Sequence, residues 1–323
     1  MNKVTVSAPG KLMLLGEHAV VYNHPCIVTA VGERMRATVE VLDSLEFQLE
    51  AEDVKVIGYR KPLSELGKGD IPKGAKFVEI AVKNIADKYP LKIGLGITTK
   101  SDFSSQFGFG SSSASTVCTI KAVSEIMGLD LTDKEIFGLS YKTVLDIQGK
   151  GSGFDIAAAV YGGTLYFVTG GKVIEPLNIK ELPLVVGYSG IKADTVTLIN
   201  KVKEKFANRQ DRLDEIYNSI EVLVKEAKKA VLKSSWKKLG ELMSKNQELL
   251  GELGVSIPKL DSMIKGALDA GAYGAKLSGA GGGDCMIVVC SENKKKLIGE
   301  GIVEAGGEII DIKANAKGVE VEK

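Results

Sequence analysis

The sequence predicts a two-domain protein that mixes helices with strands, and three observations carry that expectation. Its 323 residues exceed what one ordinary hydrophobic core organises. Stretches of period-2 alternation are interleaved with amphipathic segments of helical period. Glycine-rich runs join these elements at three points, where the backbone must turn sharply or come close to something.

In chain order, VTVSAPGKLMLLG (4–16) alternates as a strand, breaks at Pro9-Gly10 and resumes. CIVTAVGERMRATVEVL (26–42) is a second strand run, with Arg34 and Arg36 on the face opposite its apolar residues. Residues 76–88 place Phe77, Ile80, Ala81 and Ile85 on one helical face. LGITTKSDF (95–103) is strand-like and leads into the first glycine-serine run. From Ser112 to Met127 the apolar spacing is helical and Gly128 supplies the stop; Asp133 then caps a helix running towards Gln148. GTLYFV (163–168) and LPLVVGYSG (182–190) follow as strands, with a turn at Gly170-Gly171 between them. Residues 195–254 hold no proline and form a long helical stretch. Pro258 suits the first turn of the next helix. The segment 271–290 is strand, glycine loop, strand, and the tail from Gly307 alternates as a strand. A domain boundary is expected near 170–180, giving units 1–175 and 176–323.

Composition excludes several classes of function. With 44% hydrophobic and 26% charged residues the chain is of the soluble globular type, and a net charge of +1 offers no field for nucleic acid or an anionic membrane. Basic side chains must then act locally, in a pocket. Cys26, Cys118, Cys285 and Cys290 show no CxxC spacing, and His18 and His24 are the only histidines, so a zinc site is not expected. The cysteines are expected to be reduced structural thiols. No apolar run reaches 18 residues and Met1-Asn2-Lys3 leads directly into a strand pattern, so a cytoplasmic protein is expected.

The glycine runs carry the chemistry. In Gly108-Phe109-Gly110-Ser111-Ser112-Ser113-Ala114, two glycines let the backbone approach a ligand. The helix that follows directs free N–H groups and its positive dipole end at an anion. The serine hydroxyls add donors or a ligand for magnesium; the same run would also serve as a serine-rich helix cap. It is neither a GxxxxGK[ST] loop nor a GxGxxG fingerprint. In Ser278–Cys285, four of five consecutive positions from Gly279 are glycine, which costs too much backbone entropy for simple filler. Gly151-Ser152-Gly153-Phe154-Asp155 opens a helix with an acidic residue in its first turn. Asp155 is either a dipole complement or, with Lys11 of the first strand, a catalytic carboxylate beside a cation.

APGKLMLLGEHAVVY (8–22), GFGSSSA (108–114), GSGFD (151–155) and KLSGAGGGDC (276–285) occur in the order and at the separations of the GHMP kinase superfamily, which the chain resembles over nearly its whole length. The resemblance implies an α+β fold with an N-terminal ribosomal-S5-like domain, a C-terminal ferredoxin-like domain and an active site between them. It implies phosphoryl transfer from ATP with Mg2+. Asp155 would act as base or positioner for the acceptor hydroxyl, and Lys11 as the cation beside it. Gly108, Phe109, Gly110, Ser111, Ser112 and Ser113 would cradle ATP, with Ser112 on the metal. Ser278, Gly279, Ala280, Gly281 and Gly282 would shape the site, Gly279 and Gly281 towards ATP, Ser278 and Ala280 towards the acceptor. Glu17 and His18 would also meet the acceptor.

Within the superfamily GEHAVVY (16–22) is most similar to the mevalonate kinase family, which implies phosphorylation of the mevalonate 5-hydroxyl in isoprenoid biosynthesis. Other features point to alternatives. GSGFDIAAAVYGG (151–163) and YSGIKADT (188–195) resemble phosphomevalonate kinases, whose phosphorylated acceptor would call on Lys150 or Lys192. A related ATP-dependent decarboxylase is a third reading. Mevalonate kinases also carry a glutamate on magnesium eleven residues before the aspartate; that position is Val144 here, and Asp146 is the carboxylate available in its place. The proline usual before SGxD is replaced by Gly151. A small-molecule substrate is thus expected, with no nucleic acid or membrane partner, and the helices of 195–254 pack in their own domain or across a homodimer.

Overall fold

The computed structural model describes residues 2–322, the side chains of Ser105 and Val196 excepted. The elements are β1 (Lys3–Leu15), β2 (Pro25–Leu42), β3 (Glu46–Ala51), β4 (Val56–Pro62), α1 (Lys76–Lys88), β5 (Gly94–Ser101), α2 (Ser111–Ile126), α3 (Asp133–Gln148), α4 (Phe154–Tyr161), β6 (Thr164–Val168) and β7 (Val173–Pro176). There follow β8 (Leu184–Tyr188), α5 (Thr195–Lys205), α6 (Gln210–Leu232), α7 (Trp236–Leu253), α8 (Pro258–Asp269), β9 (Gly274–Ser278), β10 (Cys285–Val289), α9 (Lys295–Glu304), β11 (Glu308–Ile310) and β12 (Glu320–Val321).

Two sheets organise these elements. The first runs β12-β1-β2-β5-β3-β4, with β6 on the other part of β2 and β7 beyond it; the second runs β11-β8-β10-β9 and is antiparallel throughout. The α+β expectation therefore holds, and the chain passes from one sheet to the other between Pro176 and Leu184. The tail, which a division at 176 puts in the second unit, returns to the first sheet. Val321 pairs with Val6, and Arg34 donates to the carbonyls of Lys317 and Gly318 at 3.0 and 2.8 Å. No helix among the described residues is long and apolar enough to cross a membrane.

Alternation along β1 buries both of its faces. Val4, Val6, Ala8 and Met13 join the core formed with α1 to α4, whereas Leu12 and Leu14 join Val186, Leu277 and the helices of the second half. The second core thus crosses the seam between the sheets. The break expected at Pro9-Gly10 is a bulge instead. β1 runs on, and β2 takes up Gly32 and Glu33 as its partners shift from Arg34 to Val31. Proline has no N–H for the ladder, so the bulge sits where a bond was missing anyway.

Three further expectations shift. The cap of α3 is Thr132, not Asp133: its hydroxyl and Glu135 form a capping box, which a first-turn aspartate cannot make. On α1 the buried face centres on Val78, Ala81, Val82 and Ile85, with Phe77 and Ile80 at its margin. The stretch 195–254 is three helices, interrupted around Phe206–Arg209 and Lys233–Ser235 without any proline.

Candidate active site

The glycine runs converge from both sheets on one cleft of about 600 Å³. Its walls are the end of β1 and the turn after it, the starts of α2 and α4, the Gly279–Asp284 loop, and the segment between β8 and α5.

Lys11 enters from β1, buried at 8% exposure, and Nζ donates to the Gly108 carbonyl at 2.7 Å. Its ammonium lies 5.5 Å from the Phe154 ring centroid. Burial pulls its pKa below the ordinary lysine value, and the negative charges of Asp155 and Asp284 oppose that pull. Asp155 stands in the first turn of α4. Oδ2 accepts from Ser113 Oγ at 2.6 Å and Oδ1 from the Ile156 N–H at 3.1 Å, which fixes the orientation of the carboxylate. Ser113 is therefore spent on Asp155, while Ser111 and Ser112 line the cleft at the start of α2. Gly110, the residue before that helix, has φ 79°. The first N–H groups of α2 and its positive dipole end face this region, the chemistry of an anion site.

Gly108 is required for a different reason. At φ 73°, a Cβ on it would lie 2.4 Å from Asp284 Oδ2. Asp284 went unassigned in the sequence although it belongs to the SGAGGGDC run. Its Oδ1 accepts from Lys192 Nζ at 3.2 Å and from the Ala193 N–H at 3.0 Å. Lys192 lines the cleft as a paired cation; Lys150 lines it too, beside Gly151.

His18 and Glu17 sit in the turn after β1. His18 holds φ 59°, a costly backbone for a residue with a Cβ, and its Nε2–H donates to the Ala280 carbonyl at 2.9 Å. Burial lowers its pKa, so near neutrality Nδ1 is an acceptor. Glu17 and Lys276 form a buried ion pair. Lys276 was missed in the sequence, although a lysine between Ala275 and Leu277 in a wholly buried strand was the available signal.

Five expected site residues are placed elsewhere. The Phe109 side chain is in the core, packed against Phe103 and Phe107, and Gly282 packs against Leu198; neither is part of the cleft lining. Ser278 Oγ accepts from the Met13 N–H and donates to the Met13 carbonyl, both at 3.0 Å, so its hydroxyl stitches β9 to β1. Gly281 packs under Val255, where a Cβ would meet the carbonyl oxygen at 2.2 Å, and is not part of the cleft lining. Asp146 is held on α3 by Lys142 at 2.5 Å and Asn84 at 2.9 Å and lies outside the lining, so it does not replace the missing glutamate. No cluster of three His, Cys, Asp or Glu fit to hold a metal exists among the described residues. Of the carboxylates that line the cleft, Glu17 is paired with Lys276 and Asp284 with Lys192, so Asp155, together with a serine hydroxyl such as that of Ser112, suits a magnesium ion that draws most of its ligands from nucleotide phosphates and water.

Comparison with known proteins identifies the family. The family model for the GHMP kinases N-terminal domain matches residues 76–163, and that for the GHMP kinases C-terminal region matches 227–307. The mevalonate kinase of Thermococcus sibiricus is 35% identical over 331 aligned residues, covering 99% of this chain and 98% of that protein. The crystal structure of the Methanococcus jannaschii mevalonate kinase is 30% identical with a TM-score of 0.81, covering 96% of this chain and 97% of that one. That of the L. major mevalonate kinase in complex with R-mevalonate is 25% identical with a TM-score of 0.78, covering 96% and 95%. With both family regions matched and full-length relatives of this similarity, the chain belongs to the GHMP kinase family.

Proposed function

We propose that this protein is a mevalonate kinase that transfers the γ-phosphoryl group of ATP to the 5-hydroxyl of mevalonate. The observation that carries the chemistry is the convergence of Lys11 and Asp155 at Gly110, beside the N-terminus of α2. The acceptor follows from the full-length relatives that carry the mevalonate kinase name.

In this reading the N–H groups of Ser111 and Ser112 and the backbone of Gly108 and Gly110 bind the ATP phosphates. Mg2+, held by Ser112, Asp155 and those phosphates, would neutralise phosphate charge. The acceptor oxygen attacks the γ-phosphorus as the bond to the β-phosphate oxygen breaks; ADP leaves and the hydroxyl proton passes to Asp155. Such a transfer needs alignment and charge stabilisation above all. Ser113 and the Ile156 N–H hold Asp155 in one orientation, and Lys11 places positive charge beside the oxygen that loses its proton. His18 offers Nδ1 to the acceptor.

Phosphomevalonate as acceptor would bring a second phosphate into the cleft. Lys192 is already paired with Asp284, whose carboxylate would repel that phosphate, so the unmodified acid suits these charges better. The four cysteines are buried free thiols, which suits a cytoplasmic setting. A coupled ADP-release assay with mevalonate and 5-phosphomevalonate at equal concentration tests the proposal. Turnover with mevalonate is expected, and turnover with only the phosphorylated acid would overturn it.

A further inference from the structure

One carboxylate of the second half of the chain leans on the glycine-serine loop of the first. Asp284 stands just before β10 at φ 54°. Its N–H donates to the Ile191 carbonyl at 2.7 Å, and its own carbonyl accepts from the Ser189 N–H at 3.0 Å. The side chain is 14% exposed, with Oδ1 taken by the Ala193 N–H and by Lys192 Nζ. Oδ2 is left against Gly108, so close that only a residue without a Cβ fits there. The same loop is fastened to the second half twice more. The Cys285 thiol donates to the Phe107 carbonyl at 3.3 Å, and the Phe107 and Tyr188 rings meet edge to face with centroids 5.1 Å apart.

Gly108 is in turn the residue that holds Lys11, since its carbonyl accepts from Nζ at 2.7 Å. A carbonyl carries no net charge, and a buried ammonium needs negative charge nearby to stay ionised. The charged and titratable groups that bear on Lys11 are Asp155, Asp284, Cys285 and Lys192. The Cys285 thiol is pushed up to about 12 by burial and is neutral at working pH. Lys192 is a like charge. Two carboxylates remain, and in the transfer described above Asp155 takes up the hydroxyl proton. Asp284 is the counter-charge that keeps its ionisation throughout.

We infer that Asp284 is a positioning residue for phosphoryl transfer: set against Gly108 from the opposite half of the chain, it keeps the Lys11 ammonium charged and seated on the Gly108 carbonyl. This rests on the reading in which the charge of Lys11 serves the transfer. An opposite charge close by favours the ionised form and a like charge disfavours it. Without the Asp284 charge Lys11 gives up its proton at lower pH; without the Lys192 ammonium it keeps the proton to higher pH. The two substitutions break the same ion pair yet act on Lys11 with opposite sign. A residue that only pinned the loop would give both the same sign.

The test compares wild type with Asp284→Asn and Lys192→Met. Asp284→Asn removes the charge at near-constant volume, leaves an oxygen to accept from the Ala193 N–H, and suits φ 54°, a backbone that asparagine tolerates. The assay follows kcat/KM for ATP against pH at saturating mevalonate, so the profile reports the enzyme before nucleotide charge enters. Wild type is expected to lose activity on an alkaline limb that lies below 10.5, the ordinary lysine value. In Asp284→Asn the limb moves down by about one pH unit or more, and in Lys192→Met it moves up. In Asp284→Asn/Lys192→Met it returns towards the wild-type position. A limb that stays put in Asp284→Asn, or moves the same way in both single variants, overturns the inference. So does a limb that disappears in Lys192→Met, because it then belongs to Lys192. An unmoved limb with a raised Mg2+ requirement in Asp284→Asn would mark a metal ligand and overturn it as well. Should Asp284→Asn fail to fold, the direction of the shift in Lys192→Met decides alone. Wild-type turnover without an alkaline limb overturns the inference and leaves the functional reading standing, whereas absence of turnover with mevalonate overturns both.

Discussion

Lys11 and Asp155 pack against the same glycine: a Cβ on Gly110 would stand 3.3 Å from Lys11 Cε and 3.6 Å from Asp155 Cβ. Gly110 thus sets how closely the cation and the carboxylate approach each other at the start of α2, and its φ of 79° is one that other residues adopt at a cost. Gly110→Ala adds roughly 1–2 kcal/mol of backbone strain and a methyl group against both side chains. We expect a lower Tm and a fall of about tenfold or more in kcat. Steady-state kinetics with a thermal melt check both, and a variant with wild-type kcat would show that the close approach is not needed.

Asp155→Asn keeps the shape of the side chain and leaves an acceptor for either the Ser113 hydroxyl or the Ile156 N–H, so the first turn of α4 stays in place. What it removes is the group that takes the proton. Turnover should fall by about 10²- to 10⁴-fold, the usual worth of a general base. ATP affinity, measured by calorimetry, should change little. A variant that retained turnover would remove Asp155 from the chemistry.

Ser112 and Asp146 give opposite predictions for magnesium. Ser112→Ala deletes a hydroxyl on the cleft wall, and the Mg2+ concentration for half-maximal activity should rise. Asp146→Ala removes a carboxylate occupied by Lys142 and Asn84 outside the lining, and the same titration should not move. A shift in the second and none in the first would reverse the assignment.

The two-domain α+β plan was legible because strand alternation and helical period survive in the sequence wherever one face is buried. So was one wall of the cleft, because glycine, serine and a helix start coincide at 108–114. Residue types alone could not separate the two uses of polar groups at the seam. Ser278 lies in a glycine loop motif and was expected at the acceptor, yet its hydroxyl replaces a strand partner for Met13. Lys276 and Asp284 escaped notice because their roles arise from partners, Glu17 and Lys192, that are 259 and 92 residues away. Asp146 fell away for a local reason: Lys142, one helical turn earlier, competes for it.

His18 supplies a pH test. Burial lowers its folded-state pKa from an ordinary value of 6.5. Above that value both folded and unfolded chains carry it neutral and there is no penalty. As the pH falls through 6.5 the unfolded chain binds a proton that the folded one refuses, so stability is lost until the lowered folded pKa is reached. The difference in Tm between wild type and His18→Gln should therefore move against wild type on acidification below 6.5. Glu17, the preceding residue, acts in the opposite sense because its pKa is raised, but it is common to both proteins and drops out of the difference to first order. A difference independent of pH would mean that the imidazole is protonated as easily in the folded chain as outside it.

Ser278→Ala separates seam from site. Its hydroxyl satisfies the Met13 N–H and carbonyl at once, and both groups are buried between β1 and β9. Removing it leaves a buried donor and acceptor unpaired, at a cost of about 1–3 kcal/mol. The KM for mevalonate should hold near the wild-type value while denaturant or thermal unfolding shows the loss, because the hydroxyl is turned to the strand and not to the cleft. An unchanged unfolding midpoint with a raised acceptor KM would instead return Ser278 to substrate binding and mean that the β1–β9 bridge is replaced by the acceptor when the site fills.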